Sequence, residues 1–185
     1  MYRVDVRLVI GTRPEAIKLA PVAQALAADG IMPRLLLTGQ HPQLDPVDFG
    51  LGCFSAERLN CPGERDPHCH VRAVTAALLP RLAARPDLLV VQGDTSSALG
   101  AALAAFTARV PVAHVEAGLR THDPSLPWPE EEYRTAIDAE ADLLFAPTET
   151  AAANLRAEQV RGEIHVTGNT SIDALLALEN ELDPP

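Results

Sequence analysis

Two carboxylates and two guanidinium groups in the stretch from Pro111 to Arg134 could carry out chemistry. Glu116 directly follows a short apolar run that predicts a strand, and Glu130 stands at the predicted start of a helix. Arg120 and Arg134 lie between and behind these carboxylates. Paired carboxylates can act as general acid and base, while guanidinium groups can stabilise an anionic leaving group. This stretch is therefore the first candidate for an active site.

Most of the candidate residues also have a purely structural explanation. Glu130 belongs to an acidic first helical turn, which the helix dipole favours without any catalysis. Asp94 suits an N-cap, His114 suits a packed core histidine, and Arg13 and Lys18 suit solvated charges. A carboxylate directly after a buried strand, as at position 116, needs a partner or a function. Spacing alone therefore leaves the function open.

The elements that position these residues alternate between strand and helix along the whole chain. Continuous apolar runs such as Leu35 to Leu37 and Leu88 to Val91 are typical of strands buried on both faces of a parallel sheet. The pattern predicts strands over residues 4–10, 32–38, 88–91, 112–115, 143–146 and 163–166. Helices are expected after Thr12 to residue 28, and over 43–52, 71–84, 97–109, 130–140, 149–158 and 171–181, with residues 53–68 a loop that holds at most a short strand at 58–60. We therefore expect an α/β fold with right-handed crossovers.

Polar turns follow the predicted strands, and a parallel sheet brings all of them to one edge. Ligands bind at this edge because helix N-termini offer unpaired amides there. The first turn lacks a G-x-G-x-x-G fingerprint and the chain lacks a Walker sequence, which disfavours dinucleotide dehydrogenases and nucleoside triphosphatases. The turns are Gly11-Thr12-Arg13, Gly39-Gln40-His41, Gly93-Asp94-Thr95, His114 to Gly118, Pro147-Thr148-Glu149 and Thr167 to Thr170.

Composition narrows the class of protein further. The 185 residues are 47% hydrophobic and carry a formal net charge of -10, which disfavours nucleic acid and anionic membranes as partners. No apolar run approaches the roughly 18 residues of a membrane span, so a cytoplasmic location is expected. An anionic ligand would have to be held by a local group of cations.

The three cysteines predict neither a disulfide framework nor a metal site. Cys53, Cys61 and Cys69 are an odd set, and their spacing fits no common zinc pattern. His68 and His70 flank Cys69, but on an extended chain they would point to opposite sides. We expect no metal and no cofactor.

Seven motifs cover most of the chain, except roughly residues 45–72. They are GTRPEAIKLAPV (11–22), TGQH (38–41), GDTSSALGAALAAF (93–106), VPVAHVEAGLRT (110–121), PWPEEEYRT (127–135), PTETAAANL (147–155) and HVTGNTSIDAL (165–175). Taken together and in this order, they resemble the motifs of the non-hydrolysing UDP-N-acetylglucosamine 2-epimerases. The sequence GTRPEAIK favours the non-hydrolysing branch of the family over the hydrolysing one.

The resemblance implies a Rossmann-like domain and an epimerase. The family has two such domains in a GT-B-type arrangement, with the active site between them. It interconverts UDP-N-acetylglucosamine and UDP-N-acetylmannosamine by eliminating and re-adding UDP, which feeds cell-envelope polysaccharide synthesis. We expect residues 1–185 to be the N-terminal domain, with the C-terminal domain absent from the chain. The complete enzyme is expected to form homo-oligomers.

The resemblance also implies roles for particular residues. Asp94, Glu116 and Glu130 match the catalytic carboxylates, with the acid and base roles not assigned. Substrate-binding positions are matched by Arg13, Lys18 and Arg134. A possible allosteric UDP-N-acetylglucosamine site is matched by Gln40, His41 and Gln43, although Leu44 stands where the family usually has Met.

The catalytic histidine motif and most of the uridine contacts belong to the family's second domain. We therefore expect the isolated 185-residue chain to be inactive until a C-terminal domain or second polypeptide complements it. Two alternatives remain: the N-terminal domain of a GT-B glycosyltransferase, and a non-catalytic sugar-nucleotide-binding or interaction domain.

Overall fold

The computed structural model describes residues 4–181, and seven parallel strands form one sheet at its centre. The strands lie in the order β3-β2-β1-β4-β5-β6-β7. This Rossmann-like parallel sheet confirms the expected α/β fold. The strands are β1 (Val6–Ile10), β2 (Arg34–Leu37), β3 (Ala56–Arg58), β4 (Leu88–Gln92), β5 (Val112–Val115), β6 (Leu143–Ala146) and β7 (Glu163–Val166).

Apolar residues on both faces of the central strands explain why the sheet is a buried layer. Leu8 and Ile10 pack with α1 residues on one face, whereas Val9 and Val91 pack with residues of the helices on the other. Adjacent residues of a strand point to opposite faces, so a continuous apolar run supplies both cores. The edge strand β7 is largely exposed and begins with the charged residue Glu163, as suits a sheet edge.

Helices cover both faces and begin beside the edge of the sheet at which the strands have their carboxyl ends. Thr12, Thr95 and Thr148 cap three of them, each accepting a hydrogen bond from the backbone amide three residues later. Within residues 4–181, no helix combines the length and the apolar character that crossing a membrane requires. The α-helices are α1 (Arg13–Ala28), α2 (Pro67–Leu78), α3 (Ser96–Ala108), α4 (Glu130–Glu140), α5 (Glu149–Ala157) and α6 (Thr170–Glu181).

The segment before β4 differs from the sequence prediction. Helix α2 starts at Pro67 rather than at residue 71, because Asp66 caps it and accepts a hydrogen bond from the His68 amide. His68 and His70 therefore lie on a helix, and the expectation of an extended chain was wrong. The helix predicted over 43–52 is a 3₁₀ turn at Pro46–Phe49, and a second 3₁₀ stretch, Leu79–Ala84, follows α2.

The chain builds the sheet in two directions from its centre: β2 and β3 extend it on the side of β1, whereas β5, β6 and β7 extend it on the side of β4. In open parallel sheets this change of direction leaves a crevice at the carboxyl ends of the two central strands, where ligands bind. The turns after β1 and β4, at Gly11-Thr12 and Gly93-Asp94, border this crevice. Two of the predicted candidate turns therefore flank the position that the fold favours for a ligand.

Candidate active site

Glu116 lies at the end of β5 in a strained backbone conformation. Its φ of 70° falls in the left-handed region, which costs a non-glycine residue free energy and which often marks functional sites. Its Oε2 accepts hydrogen bonds from Lys18 Nζ at 2.5 Å and from Gln92 Nε2 at 2.6 Å. Its Oε1 accepts one from Asn169 Nδ2 at 3.2 Å. Residues from β4, α1 and the turn after β7 thus hold this carboxylate in one orientation.

Asp94 follows Gly93 in the turn after β4 and forms an ion pair with Arg134 of α4. Burial raises the pKa of Asp94 above its ordinary value; Arg134 opposes this shift, whereas the charges of Glu130 and Glu116 add to it. The two other predicted catalytic carboxylates thus both act on Asp94. A carboxyl group with a raised pKa is suited to proton transfer near neutral pH.

Glu130 begins α4 and lines a cleft of about 180 Å³ that also contains Asp94 and Tyr133. Its Oε2 is buried and accepts no hydrogen bond from the described residues, which is unusual for a carboxylate oxygen. Arg134 Nε in the same helix is also buried and lacks such a partner. Unsatisfied polar atoms beside a cleft are what a site awaiting a polar ligand presents.

The two predicted cations at the first helix behave differently. Lys18 forms an ion pair with Glu116, as described above. Arg13, the first residue of α1, is exposed and forms no ion pair or hydrogen bond within residues 4–181. It lies at the helix N-terminus beside the crevice, where an anion would be favoured. A role for Arg13 in substrate binding stays a prediction.

Glu15 is a site residue that the sequence reasoning missed. It is buried in the interior, and its Oε2 accepts hydrogen bonds from the Gly11 and Thr12 amides at 2.8 and 2.6 Å. Its Oε1 accepts one from Thr95 Oγ1 at 2.6 Å. The carboxylate is thus hydrogen-bonded to both turns that flank the crevice. The Thr-x-x-Glu capping box at 12–15 was the signal available in the sequence.

One of the three predicted allosteric residues lines the cleft. Gln40 lines it, and its Oε1 accepts a hydrogen bond from Ser97 Oγ at 2.7 Å. His41 and Gln43 are exposed on the following loop. A regulatory role of Gln40, His41 and Gln43 stays a prediction.

Arg120 does not join the site, although it lies in the same stretch as Glu116 and Arg134. Its guanidinium group pairs with Asp138 at 2.8 Å and with Glu158 at 2.6 Å, and its side chain is only 2% exposed. The initial grouping of Arg120 with the site was therefore wrong. His114 is fully buried, in agreement with the expectation of a packed core histidine.

Comparisons with known proteins show the family of the chain. The family described as UDP-N-acetylglucosamine 2-epimerase matches residues 24–184. The chain is 43% identical to UDP-N-acetylglucosamine 2-epimerase from Escherichia coli K12 over 182 residues, which are 94% of this chain and 48% of that protein. The chain spans about half the length of the curated relatives it matches.

Two solved structures share the fold across nearly the whole chain. The UDP-GlcNAc 2-epimerase from Neisseria meningitidis, bound to UDP-GlcNAc, is 37% identical with a TM-score of 0.88, over 96% of this chain and 50% of that chain. The Methanocaldococcus jannaschii UDP-GlcNAc 2-epimerase, in complex with UDP-GlcNAc and UDP, is 36% identical with a TM-score of 0.86, over 94% and 49%. The chain therefore belongs to the UDP-N-acetylglucosamine 2-epimerase family.

Proposed function

We propose that this chain forms one wall of the active site of an enzyme that interconverts UDP-N-acetylglucosamine and UDP-N-acetylmannosamine. The observation that carries the proposal is the grouping of Asp94, Glu116 and Glu130 at the crevice of the sheet, with Lys18 and Arg134 paired to two of them. Family membership supports the same reaction. Catalytic roles for these residues fit the position and the surroundings of each side chain.

The proposed reaction is an elimination followed by an addition. A base removes the C2 proton of the sugar, the C–H electron pair forms a C1=C2 double bond, and UDP leaves with the C1–O electron pair. UDP then adds back at C1 while an acid delivers a proton to the opposite face of C2. The raised pKa of Asp94 suits it to exchange protons with the sugar. Glu116 and Glu130 complete the set, with the acid and base roles left unassigned.

Local cations would offset the acidity of the chain at the leaving group. The net charge of -10 repels a diphosphate, so binding depends on charges placed beside it. Arg13 is exposed at the start of α1, where the amides of the first turn and the helix dipole also favour an anion. Arg134 neutralises Asp94 and so limits the number of uncompensated negative charges in the cleft.

We propose that turnover requires the second domain of the family's two-domain architecture, which this chain does not cover. The chain spans about half the length of its curated relatives, and we infer that its residues contact a sugar nucleotide from one side only. Elimination also requires water to be excluded around the leaving group, which one wall cannot achieve. We therefore propose negligible epimerase activity and weak substrate affinity for the isolated 185-residue chain.

Exchange of the C2 proton in D2O tests the proposal directly. The purified chain is assayed alone, mixed with the C-terminal half of the E. coli relative, and fused to that half. Proton NMR follows both the loss of the C2 signal and the formation of the mannosamine epimer. We expect exchange only with the second half present. The N-terminal half of the E. coli relative, handled identically, is the positive control.

Three other outcomes would point elsewhere. Robust turnover by the chain alone would contradict the need for a second half. Sugar transfer to an acceptor without C2 exchange would favour a glycosyltransferase. Calorimetric binding of UDP-N-acetylglucosamine without exchange in any combination, while the positive control is active, would favour a non-catalytic binding domain.

A further inference from the structure

His114 occupies a central position between the two turns that carry Asp94 and Glu116. It lies in the middle of β5 and its side chain is fully buried. Its Nδ1 lies 2.6 Å from Asp138 Oδ1, and its Nε2 lies 2.7 Å from the Gly93 carbonyl oxygen. Both ring nitrogens are therefore within hydrogen-bond distance of an oxygen, one on α4 and one in the turn after β4.

Both of these oxygens are acceptors in a folded chain. A backbone carbonyl cannot donate, and an ionised carboxylate cannot either. A neutral imidazole has only one N–H. In one of the two contacts, a lone pair of the ring nitrogen would then face a lone pair of the oxygen at less than 3 Å. With Asp138 ionised, only the doubly protonated ring of His114 satisfies both contacts. The geometry thus indicates a buried imidazolium.

The charges packed around His114 compensate one another. Asp138 also accepts hydrogen bonds from the Gly118 amide at 3.0 Å and from Arg120 Nη1 at 2.8 Å. Arg120 in turn pairs with Glu158 at the end of α5. Two cations thus alternate with two anions, and the charge of Asp94, in the turn after β4, also acts on the histidine. Each of these four side chains therefore has an oppositely charged hydrogen-bond partner.

The directions of the pKa shifts agree with this assignment. Burial alone lowers the pKa of His114, but Asp138, Gly93 and Asp94 together raise it above the ordinary value. Burial alone raises the pKa of Asp138, but His114 and Arg120 bring it below the ordinary value. The pair is therefore stabilised as imidazolium and carboxylate.

The two backbone groups that this pair holds belong to the turns of the candidate site. Gly93 directly precedes Asp94, and its φ of 68° is one that glycine adopts without strain. Gly118 lies two residues after Glu116 and has a φ of 82°. One hydrogen bond fixes the Gly93 carbonyl and another fixes the Gly118 amide, so the pair joins both turns through β5 and α4.

We propose that His114 and Asp138 form a positioning pair, an imidazolium and a carboxylate that set the distance and orientation between Asp94 and Glu116. The proposal rests on the proposed function only for its catalytic consequence. Neither residue touches the crevice directly; each acts through the backbone of a turn. Misplacing one carboxylate relative to the other by about 1 Å is enough to lower kcat by about 10²-fold.

A second buried histidine provides a matched control in the same chain. His70 of α2 is also almost fully buried, with Nδ1 2.6 Å from Ser96 Oγ and Nε2 3.0 Å from the Cys61 carbonyl oxygen. The serine hydroxyl can donate, so a neutral ring with a proton on Nε2 satisfies both contacts. Burial lowers the pKa of His70. The two histidines should therefore differ in protonation.

The first test is NMR of ¹⁵N-histidine-labelled 185-residue chain at about pH 8, more than a unit above the ordinary histidine pKa of about 6.5. We expect His114 to show protons on both ring nitrogens and His70 to show one on Nε2 alone. His70→Gln and Asp138→Asn assign the signals, and Asp138→Asn should remove one ring proton from His114. A singly protonated His114 in the unmodified chain overturns the proposal, whether or not the chain supports epimerisation.

The second test addresses positioning and compares His114→Gln with His70→Gln. His114→Gln should shift the backbone amide signals of both Asp94 and Gly118, whereas a merely local packing role would leave the Asp94 turn unmoved. In the chain fused to the C-terminal half, His114→Gln should lower kcat by at least about tenfold and change KM by less than about twofold. Unchanged Asp94 and Gly118 amides in His114→Gln contradict the proposal independently of any activity.

Discussion

Arg120 and Arg134 come from neighbouring parts of the chain and each pairs with an aspartate, but the two ion pairs differ in their surroundings. The Arg120–Asp138 pair is buried, with side chains 2% and 0% exposed, and all of its polar contacts are made within the protein. The Arg134–Asp94 pair borders the cleft, with side chains 11% and 29% exposed, and Arg134 Nε has no hydrogen-bond partner among the described residues.

The comparison separates a structural ion pair from one available to a ligand. A buried pair with saturated contacts stabilises the fold once formed but has nothing left to offer a substrate. A pair at a cleft, with an unsatisfied donor and a perturbed carboxyl group, can change partners during a reaction. Identical residue types in one stretch therefore divide into two roles according to burial and hydrogen bonding.

Activity should separate the two arginines most strongly. In the chain fused to the C-terminal half, Arg134→Met should lower kcat/KM by about 10²-fold, because the cleft loses the cation that orients and neutralises Asp94. The measurement is initial-rate epimerisation. Arg156→Met, which removes an exposed arginine on α5, is the matched control. Equal rates for Arg134→Met and the control would remove Arg134 from the site.

Stability should show the opposite order. Arg120→Met should lower the free energy of unfolding by about 3–5 kcal/mol, because it leaves Asp138 buried with less compensation. Arg134→Met should cost less than this, since its pair is more exposed than the Arg120 pair. Urea denaturation of the 185-residue chain, with Arg156→Met again as the control, measures both. A smaller loss for Arg120→Met than for Arg134→Met would reverse the comparison.

The outer partner of Arg120 should matter much less than the inner one. The Glu158 side chain is 35% exposed, so solvent screens its bond to Arg120. Glu158→Gln should therefore lower the free energy of unfolding by only about 0–1 kcal/mol. Urea denaturation at two salt concentrations checks this value, and added salt should shrink the difference further. A loss as large as that of Arg120→Met would contradict this prediction and show that the outer ion pair contributes as much stability as the inner one.

The smallest expected effect is on the titration of Asp94. Its pKa is raised in the folded chain, and Arg134 is the group that holds it down. Arg134→Met should raise it further, while Arg156→Met should leave it unchanged. Because the folded pKa of this acid lies above the unfolded one, Asp94 favours folding below its unfolded pKa. That contribution is lost as pH rises through the folded pKa. Carbon NMR of the Asp94 carboxyl signal measures the shift.

Much of the fold was predictable because the signals are local. Apolar runs such as Leu35–Leu37 are too short for helices and too continuous for a half-exposed strand, so they predict a parallel sheet. The sheet then brings the polar turns to one edge by geometry alone. The start of α2 was missed, although the Asp66-Pro67 pair carries the ordinary signal for a helix N-terminus.

The site was less predictable because its contacts join residues far apart in sequence. The position of Glu116 after a strand indicated a functional carboxylate, but nothing local pointed to Gln92 and Asn169 as its donors. The orientation of the Arg120 side chain depends on its ion pairs with Asp138 and Glu158. Only the packing of α4 and α5 brings these two carboxylates together. Sequence patterns locate such groups on an element, whereas tertiary packing decides which of them meet.

The most direct test of the central claim is C2 proton exchange by the fused protein carrying Glu116→Gln, with Glu132→Gln on the exposed side of α4 as the matched control. The substitution keeps the size of the side chain and removes its charge and basicity. We predict that exchange falls by about 10²–10⁴-fold in Glu116→Gln and stays near the unmodified rate in Glu132→Gln. Exchange at the unmodified rate in Glu116→Gln would contradict a catalytic role for the carboxylate at the centre of this site.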